Sequence, residues 1–329
     1  MDHYTPPFDI TAEMLSLTSS ISEKLGELHL RHNLDAKPHL RRSNRIRSIH
    51  SSLAIEANSL SLSEVRDVIA GHTVIGPGNE IREVRNAYAA YEALPDIDPY
   101  SIEDLKRIHG IMTEGLVKES GVFRSGDEEV FDGGRVIFVA PPPWNVPSLM
   151  QDLFTWMKGE KDLHPLILSS VFHYEFVFIH PFADGNGRMA RLWQTAILMK
   201  WREIFQYLPI ESRIEQDQAG YYKAIADCHR AGKSNVFVEF MLRQIDNALA
   251  DILGQASSEE GQLSEYVSRL LEVMEYDVPY TANALMEKVG IRTRDSFRNN
   301  YLRPAIDLGL VRMTIPDKPQ SRNQRYIRR

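Results

Sequence analysis

Residues 165–179 carry apolar side chains nearly all round a helical wheel, and the run stops at His180-Pro181. A helix that is apolar on every face belongs at the centre of a bundle. A second helical pattern begins at Gly187 and continues to Trp201, so two helices meet across a loop rich in glycine and proline. The rest of the chain points the same way. Helical spacing predicts helices over 9–36, 43–70, 81–94, 102–112, 146–158 and 217–230, with Asp9, Thr11 and Ser63 as caps. Ser101 opens the 102–112 helix, with Asp104 three residues on as half of a capping box. Strand-like composition is confined to Val130-Phe131 and Val136-Ile137-Phe138-Val139, with the turn signal Asp132-Gly133-Gly134 between them. The expected class is therefore mainly α, a helical bundle with one small hairpin.

The loop between the two central helices reads His180-Pro181-Phe182-Ala183-Asp184-Gly185-Asn186-Gly187-Arg188-Met189-Ala190-Arg191. It opens into a helix N-terminus, where the first backbone N–H groups lack partners and favour an anion. Gly185 and Gly187 allow close approach of a phosphate to the backbone and the positive φ of an anion nest. Asp184 offers a hard oxygen for Mg²⁺ beside those phosphates. Arg188 and Arg191 share a helix face and suit successive phosphates. His180, biased away from helical geometry by the following proline, can take a proton from a hydroxyl near neutral pH.

This segment resembles the signature of the Fic family, His-Pro-Phe-x-(Asp/Glu)-Gly-Asn-Gly-Arg-x-x-Arg, at every fixed position, and the likeness extends from Phe172 to Leu192. Fic proteins are mostly adenylyltransferases, which move AMP from ATP to a Ser, Thr or Tyr hydroxyl of a protein. The resemblance implies a Fic-fold helical bundle with His180 as general base and Asp184 as the Mg²⁺ ligand. It puts the amides around Gly185, Asn186 and Gly187 on the α-phosphate, and Arg188 and Arg191 on the outer phosphates. A family branch that transfers phosphate carries Lys where this chain has Gly187, so the glycine favours nucleotidyl transfer. The resemblance also makes the hairpin a flap that pairs with the target segment, and makes Tyr222 the residue that lines the adenine pocket. His229, two turns beyond, is a weaker candidate for the same pocket.

Ile46, Ile49, Leu53 and Glu56 fall on one helical stripe, so a carboxylate continues an apolar face and needs a cationic partner if buried. Ser52 lies one turn earlier. The stretch Ser51 to Asn58 resembles the inhibitory helix of Fic proteins, (Ser/Thr)-x-x-x-Glu-(Gly/Asn), with Ser52 and Glu56 matching and Ala57 departing. The resemblance implies that Glu56 pairs with Arg191 and restrains the enzyme. Two other readings stay open: a hydrolase that removes AMP with the help of Glu56, and a nucleotide-sensing DNA-binding regulator.

Residues 254–262 are polar and read as a linker. Beyond it the charge changes sign: residues 263–329 carry +4, whereas the chain as a whole carries −7. The predicted order there is helix (264–275), helix (281–289), a turn at Gly290, helix (293–308, interrupted by Pro304) and two β-prone pieces around Asp317-Lys318. It resembles the winged helix-turn-helix that several Fic proteins carry. Arg292, Arg294 and Arg298 would then open the third helix, and Arg322, Arg325, Arg328 and Arg329 would lie in or after the wing, for a DNA or protein partner. The expected division is an N-terminal helical segment (1–95), a catalytic core (96–254) and a winged-helix-like domain (263–329). The single cysteine, Cys228, excludes an intrachain disulfide, and no apolar run is long enough to span a bilayer. With no signal-peptide pattern at Met1-Asp2-His3, the expected location is cytoplasmic. The expected partner is a protein with an exposed hydroxyl, with self-modification and a homodimer as further expectations.

Overall fold

The computed structural model describes residues 4–31, 38–132, 135–262, 264–276, 278–316, 318–319 and 321–328. They form two compact units, one of residues 1–26 with 43–250 and one of 27–42 with 251–329. Within those residue limits, the larger unit is built from α1 (Ala12–Arg31), α2 (Pro38–Ala54), α3 (Leu62–Ile69), α4 (Gly78–Glu92) and α5 (Ile102–Met112). The hairpin β1 (Glu129–Asp132) and β2 (Arg135–Val139) follows. Then come α6 (Val146–Gly159), α7 (Pro165–Ile179), α8 (Asn186–Trp201), α9 (Ile210–Gln216), α10 (Gln218–Ala231) and α11 (Asn235–Gln262).

The apolar run is the central helix. On α7, Leu166 to Phe176 and Ile179 are buried, and the helix packs against α8 and α6. His164 caps it through its side chain on the Leu166 N–H, and Pro165 takes the first position, where no N–H is needed. Polar bonds join the N-terminal segment to α11 and the residue before it: Thr11 donates to Glu239 (2.7 Å), Ser20 to Asp246 (2.8 Å), and the Ser234 N–H to the Pro7 carbonyl (3.0 Å). The hairpin is antiparallel, pairing Glu129 with Val139 and Asp132 with Arg135, with an irregularity between Val130 and Phe131. Its turn residues Gly133 and Gly134 lie outside the described residues.

Several helix boundaries differ from those expected. The 43–70 stretch is two helices, because the chain turns at Ile55 to Ala57 and restarts at Ser61. Ser61, rather than Ser63, is the cap, and it makes both halves of a capping box with Glu64. The polar stretch 254–262 is helical, as the last turns of α11, and does not form an irregular linker. Its Ala, Gln, Ser and Glu residues are compatible with a helix, and only Gly254 and Gly261 speak against one.

The smaller unit has its own core, in which Val267, Leu270, Leu285, Val289, Phe297, Tyr301 and Val311 are among the buried residues. Helices α12 (Glu265–Glu272) and α13 (Ala282–Val289) precede a third helical stretch, and β3 (Val311–Met313) pairs antiparallel with β4 (Tyr326–Arg328). The third stretch begins at Arg294, and its middle, Phe297–Leu302, is π-helical. The Arg303 N–H bonds Arg298, five residues back, just before Pro304, whose missing N–H breaks the regular ladder. Arg328 is buried rather than presented outward: its guanidinium bonds the Leu271 carbonyl and lies 4.7 Å from the Tyr276 ring. Arg329 lies outside the described residues.

Candidate active site

The site forms where α7 ends. His180 is the C-terminal cap of α7 in a left-handed conformation (φ 52°, ψ 59°), and its N–H still bonds Phe176 (3.0 Å). Pro181 does bar His180 from the helix, but the conformation adopted is left-handed rather than extended. The ring has a long contact from Nδ1 to the Val177 carbonyl (3.4 Å), so a neutral ring with its proton there keeps Nε2 as a base. Burial lowers the imidazole pKa against the opposing Val177 carbonyl, and the Arg124 charge lowers it further. The carboxylates of Glu56 and Asp184 oppose that shift.

The loop is braced from within and from behind. The Asn186 side chain accepts from the Phe182 N–H (3.0 Å) and donates to the Phe182 carbonyl (2.7 Å). Asn186 therefore shapes the loop with its side chain, while its backbone amide belongs to the helix N-terminus. Gly185, with φ 77°, turns the chain into α8, and the first intrahelical bond runs from Met189 N–H to Gly185 O (2.9 Å). The amides of 186–188 precede that bond and have no acceptor within the helix. Behind the loop, buried His109 on α5 bonds the Asp184 carbonyl through Nε2 (3.0 Å) and accepts from the Gly121 N–H at Nδ1 (2.9 Å). Its ring stacks on Phe182, with centroids 3.6 Å apart. Burial pushes its pKa down to about 4, so it stays neutral with its proton on Nε2. Sequence reasoning missed His109, which lies 71 residues upstream of His180 on an ordinary amphipathic helix.

Two guanidinium groups face this loop. Arg191, with 1% of its side chain exposed, donates from Nε to Ser52 Oγ (3.1 Å) and from Nη2 to the Ser52 carbonyl (2.8 Å). Nη2 also pairs with Glu56 at 2.8 Å, and the Glu56 side chain is 37% exposed. Burial works against the Arg191 charge, but Glu56 more than offsets it and the pKa is raised. A Cβ at position 187 would collide with the Glu56 carboxylate, so the glycine at 187 is what lets the glutamate reach the arginine. Arg188 is buried, donates to Asp184 (2.9 Å), and has Glu83 of α4 at 3.5 Å. Arg188 Nε and Nη1 and Arg191 Nη1 are buried with no hydrogen-bond partner among the described residues. Buried donors of that kind are costly unless an acceptor arrives.

The Asp184 side chain is 49% exposed and lies beside the helix N-terminus. One accessible carboxylate next to a phosphate cradle fits Mg²⁺, which takes its remaining ligands from phosphate oxygens and water. Tyr222 on α10 is 47% exposed and edge-on to Tyr221 at 5.3 Å. Its pKa is raised by burial and then by the charge of Glu56. His229 instead packs against Tyr174 and Phe178 of α7, both rings 5.7 Å away.

Two family models match this chain. One, described as Fic/DOC family, matches residues 99–198. The other, described as the C-terminal domain of filamentation induced by cAMP protein Fic-like, matches residues 265–327. A protein adenylyltransferase Fic of Nematostella vectensis is 31% identical over 206 residues, 59% of this chain and 45% of that one. The protein adenylyltransferase fic-1 of Caenorhabditis elegans is 28% identical over 289 residues, 78% and 55% of the two chains. The chain thus spans about half the length of the curated relatives it matches. A crystal structure of a Fic family protein from Desulfovibrio desulfuricans G20 is 42% identical, with TM-score 0.74, covering 99% of this chain and 98% of that one. A likeness that runs the length of both chains, on a loop built as the signature requires, makes this chain a member of the Fic family.

Proposed function

We propose that the chain is a protein adenylyltransferase restrained by its own Glu56. The observation that carries this reading is the set of buried guanidinium N–H groups on Arg188 and Arg191 that lack a hydrogen-bond acceptor among the described residues, beside free helix-start amides. That arrangement has the shape and charge of a polyphosphate site. A triphosphate laid along it has its α-phosphate at the 185–187 amides and its outer phosphates at the two arginines. His180 Nε2 takes the proton of the target hydroxyl as its oxygen bonds the α-phosphorus, and the bond to the bridging oxygen breaks. Pyrophosphate leaves with its charge held by Arg188 and Arg191. Mg²⁺ on Asp184 would neutralise part of the phosphate charge.

The same geometry supports the brake. With Glu56 on its Nη2, Arg191 offers an outer phosphate only Nη1, and the carboxylate repels that phosphate, so the glutamate holds ATP out of the productive pose. ATP labelled at the α-phosphate, incubated with Mg²⁺, is expected to label protein weakly with wild type and strongly with Glu56→Gly. No label is expected with Glu56→Gly/His180→Ala. Equal labelling of wild type and Glu56→Gly would remove the brake. Release of AMP from an already modified protein, lost in Glu56→Gly, would turn the reading to the hydrolase.

We read residues 263–329 as a winged helix-turn-helix used for docking a protein. The inward position of Arg328 withdraws one basic residue from the wing. Duplex DNA binding that falls steeply with salt would reverse that choice.

A further inference from the structure

Arg124 lies in the loop between α5 and β1, is buried, and has no carboxylate within ion-pair distance among the described residues. Burial lowers its pKa. Among the described residues its hydrogen-bond partners are all backbone carbonyls, and they fall in two groups. Its Nε donates to His180 O (2.7 Å) and its Nη2 to Ile179 O (3.4 Å), while its own backbone N–H donates to Pro181 O (3.0 Å). One residue thus holds the three successive carbonyls around the catalytic base. The same guanidinium donates through Nη1 to Gly126 O (2.8 Å) and through Nη2 to Pro141 O. Gly126 precedes β1 and Pro141 follows β2, so these are the two stems of the hairpin.

We propose that Arg124 is a positioning residue that joins the hairpin to His180, setting where a target hydroxyl presented by the hairpin meets the base. Two features support the need for such a joint. His180 is a non-glycine residue at positive φ, a conformation that persists only where its surroundings hold it. Its carbonyl and its neighbours' carbonyls close the negative end of α7, where a cation is favoured. A planar guanidinium can reach carbonyls on opposite sides at once, whereas the point charge of a lysine cannot.

The proposal rests on the transferase reading for its catalytic readout, so the test includes one readout that does not. In the full chain carrying Glu56→Gly, Arg124→Gln and Arg124→Lys are compared with the parent. Both are expected to lower kcat for self-labelling about 100-fold while the ATP dissociation constant and the KM for ATP stay within about twofold. In hydrogen exchange, peptides containing the Arg124, Ala140 and Phe182 amides should lose protection, and those containing Val238 should not. Unchanged labelling in both variants would overturn the proposal. So would a loss of ATP binding in step with labelling, because that marks general collapse of the site. If the Glu56→Gly parent itself transfers no label, the transferase reading falls and exchange alone decides. Loss of protection confined to 124, 140 and 182 then supports the joint, and unaltered protection sinks it.

Discussion

Arg191 is held by Ser52 on one side and by Glu56 on the other, with Nη1 still without an acceptor. Removing the glutamate leaves a buried charge uncompensated, which is severe for a fully buried pair but reduced here because Glu56 is partly in water. Glu56→Gly is expected to cost about 1–2 kcal/mol without nucleotide. ATP with Mg²⁺ should then raise the melting temperature of Glu56→Gly more than that of wild type, since phosphate takes the place of the carboxylate. Equal shifts in calorimetry would mean that the two do not compete. A second carboxylate carries a pH effect. Glu175 on α7 is buried, accepts from the Tyr4 hydroxyl (2.6 Å), and its pKa is pushed by burial up to about 7. A raised carboxyl favours the folded state while protonated, so its stabilising effect is full below about pH 4.3 and lost as pH rises through about 7. Glu175→Gln should therefore gain about 2–3 kcal/mol over wild type on moving from pH 4 to pH 8, measured by urea unfolding at each pH. The residues of the site from His180 to Arg191 were legible because chemistry and spacing coincide in twelve positions. His109 and Arg124 were not, because each acts on backbone atoms far away in sequence, and a bond to a carbonyl leaves no mark on the acceptor's residue type.

At the level of elements, what could be read depended on whether the signal was local. The hairpin, the Ser101 cap and the Pro165–Ile179 helix follow from nearest neighbours. The end of α2 depends on one residue in an unfavourable state. The Asn58 N–H bonds Leu53 O (3.1 Å) and the Ala57 N–H bonds Ala54 O (3.0 Å), a Schellman closure with Ala57 at φ 65°. Glycine is the usual residue there, so the structure keeps Glu56 on Arg191 and accepts backbone strain at Ala57. Ala57→Gly is expected to stabilise the fold by about 1 kcal/mol, leaving Glu56 on Arg191 and basal labelling unchanged. Lower stability on denaturant unfolding would show that the left-handed conformation is not what the variant relieves. The α11 tail escaped prediction for the opposite reason, because its glycines signal a break that the surrounding helix formers override.

At the scale of the molecule, two compact units with separate cores share one chain, and the charge is unevenly divided between its parts. Every residue proposed for nucleotide, base, metal and brake lies within 43–250, so ligand binding energy would enter only one of the two units directly. A domain with its own buried core is expected to unfold as its own cooperative step, so the chain should not follow a single two-state transition. Heating the full chain should give two calorimetric transitions. ATP with Mg²⁺ stabilises only the state that binds it, so in Glu56→Gly it should raise the transition of the larger unit and leave the other in place. A single transition moved as a whole by ATP would show that the units unfold together. In that case binding in the Fic unit would act on the stability of residues 263–329, and a partner docked there would in turn alter nucleotide affinity.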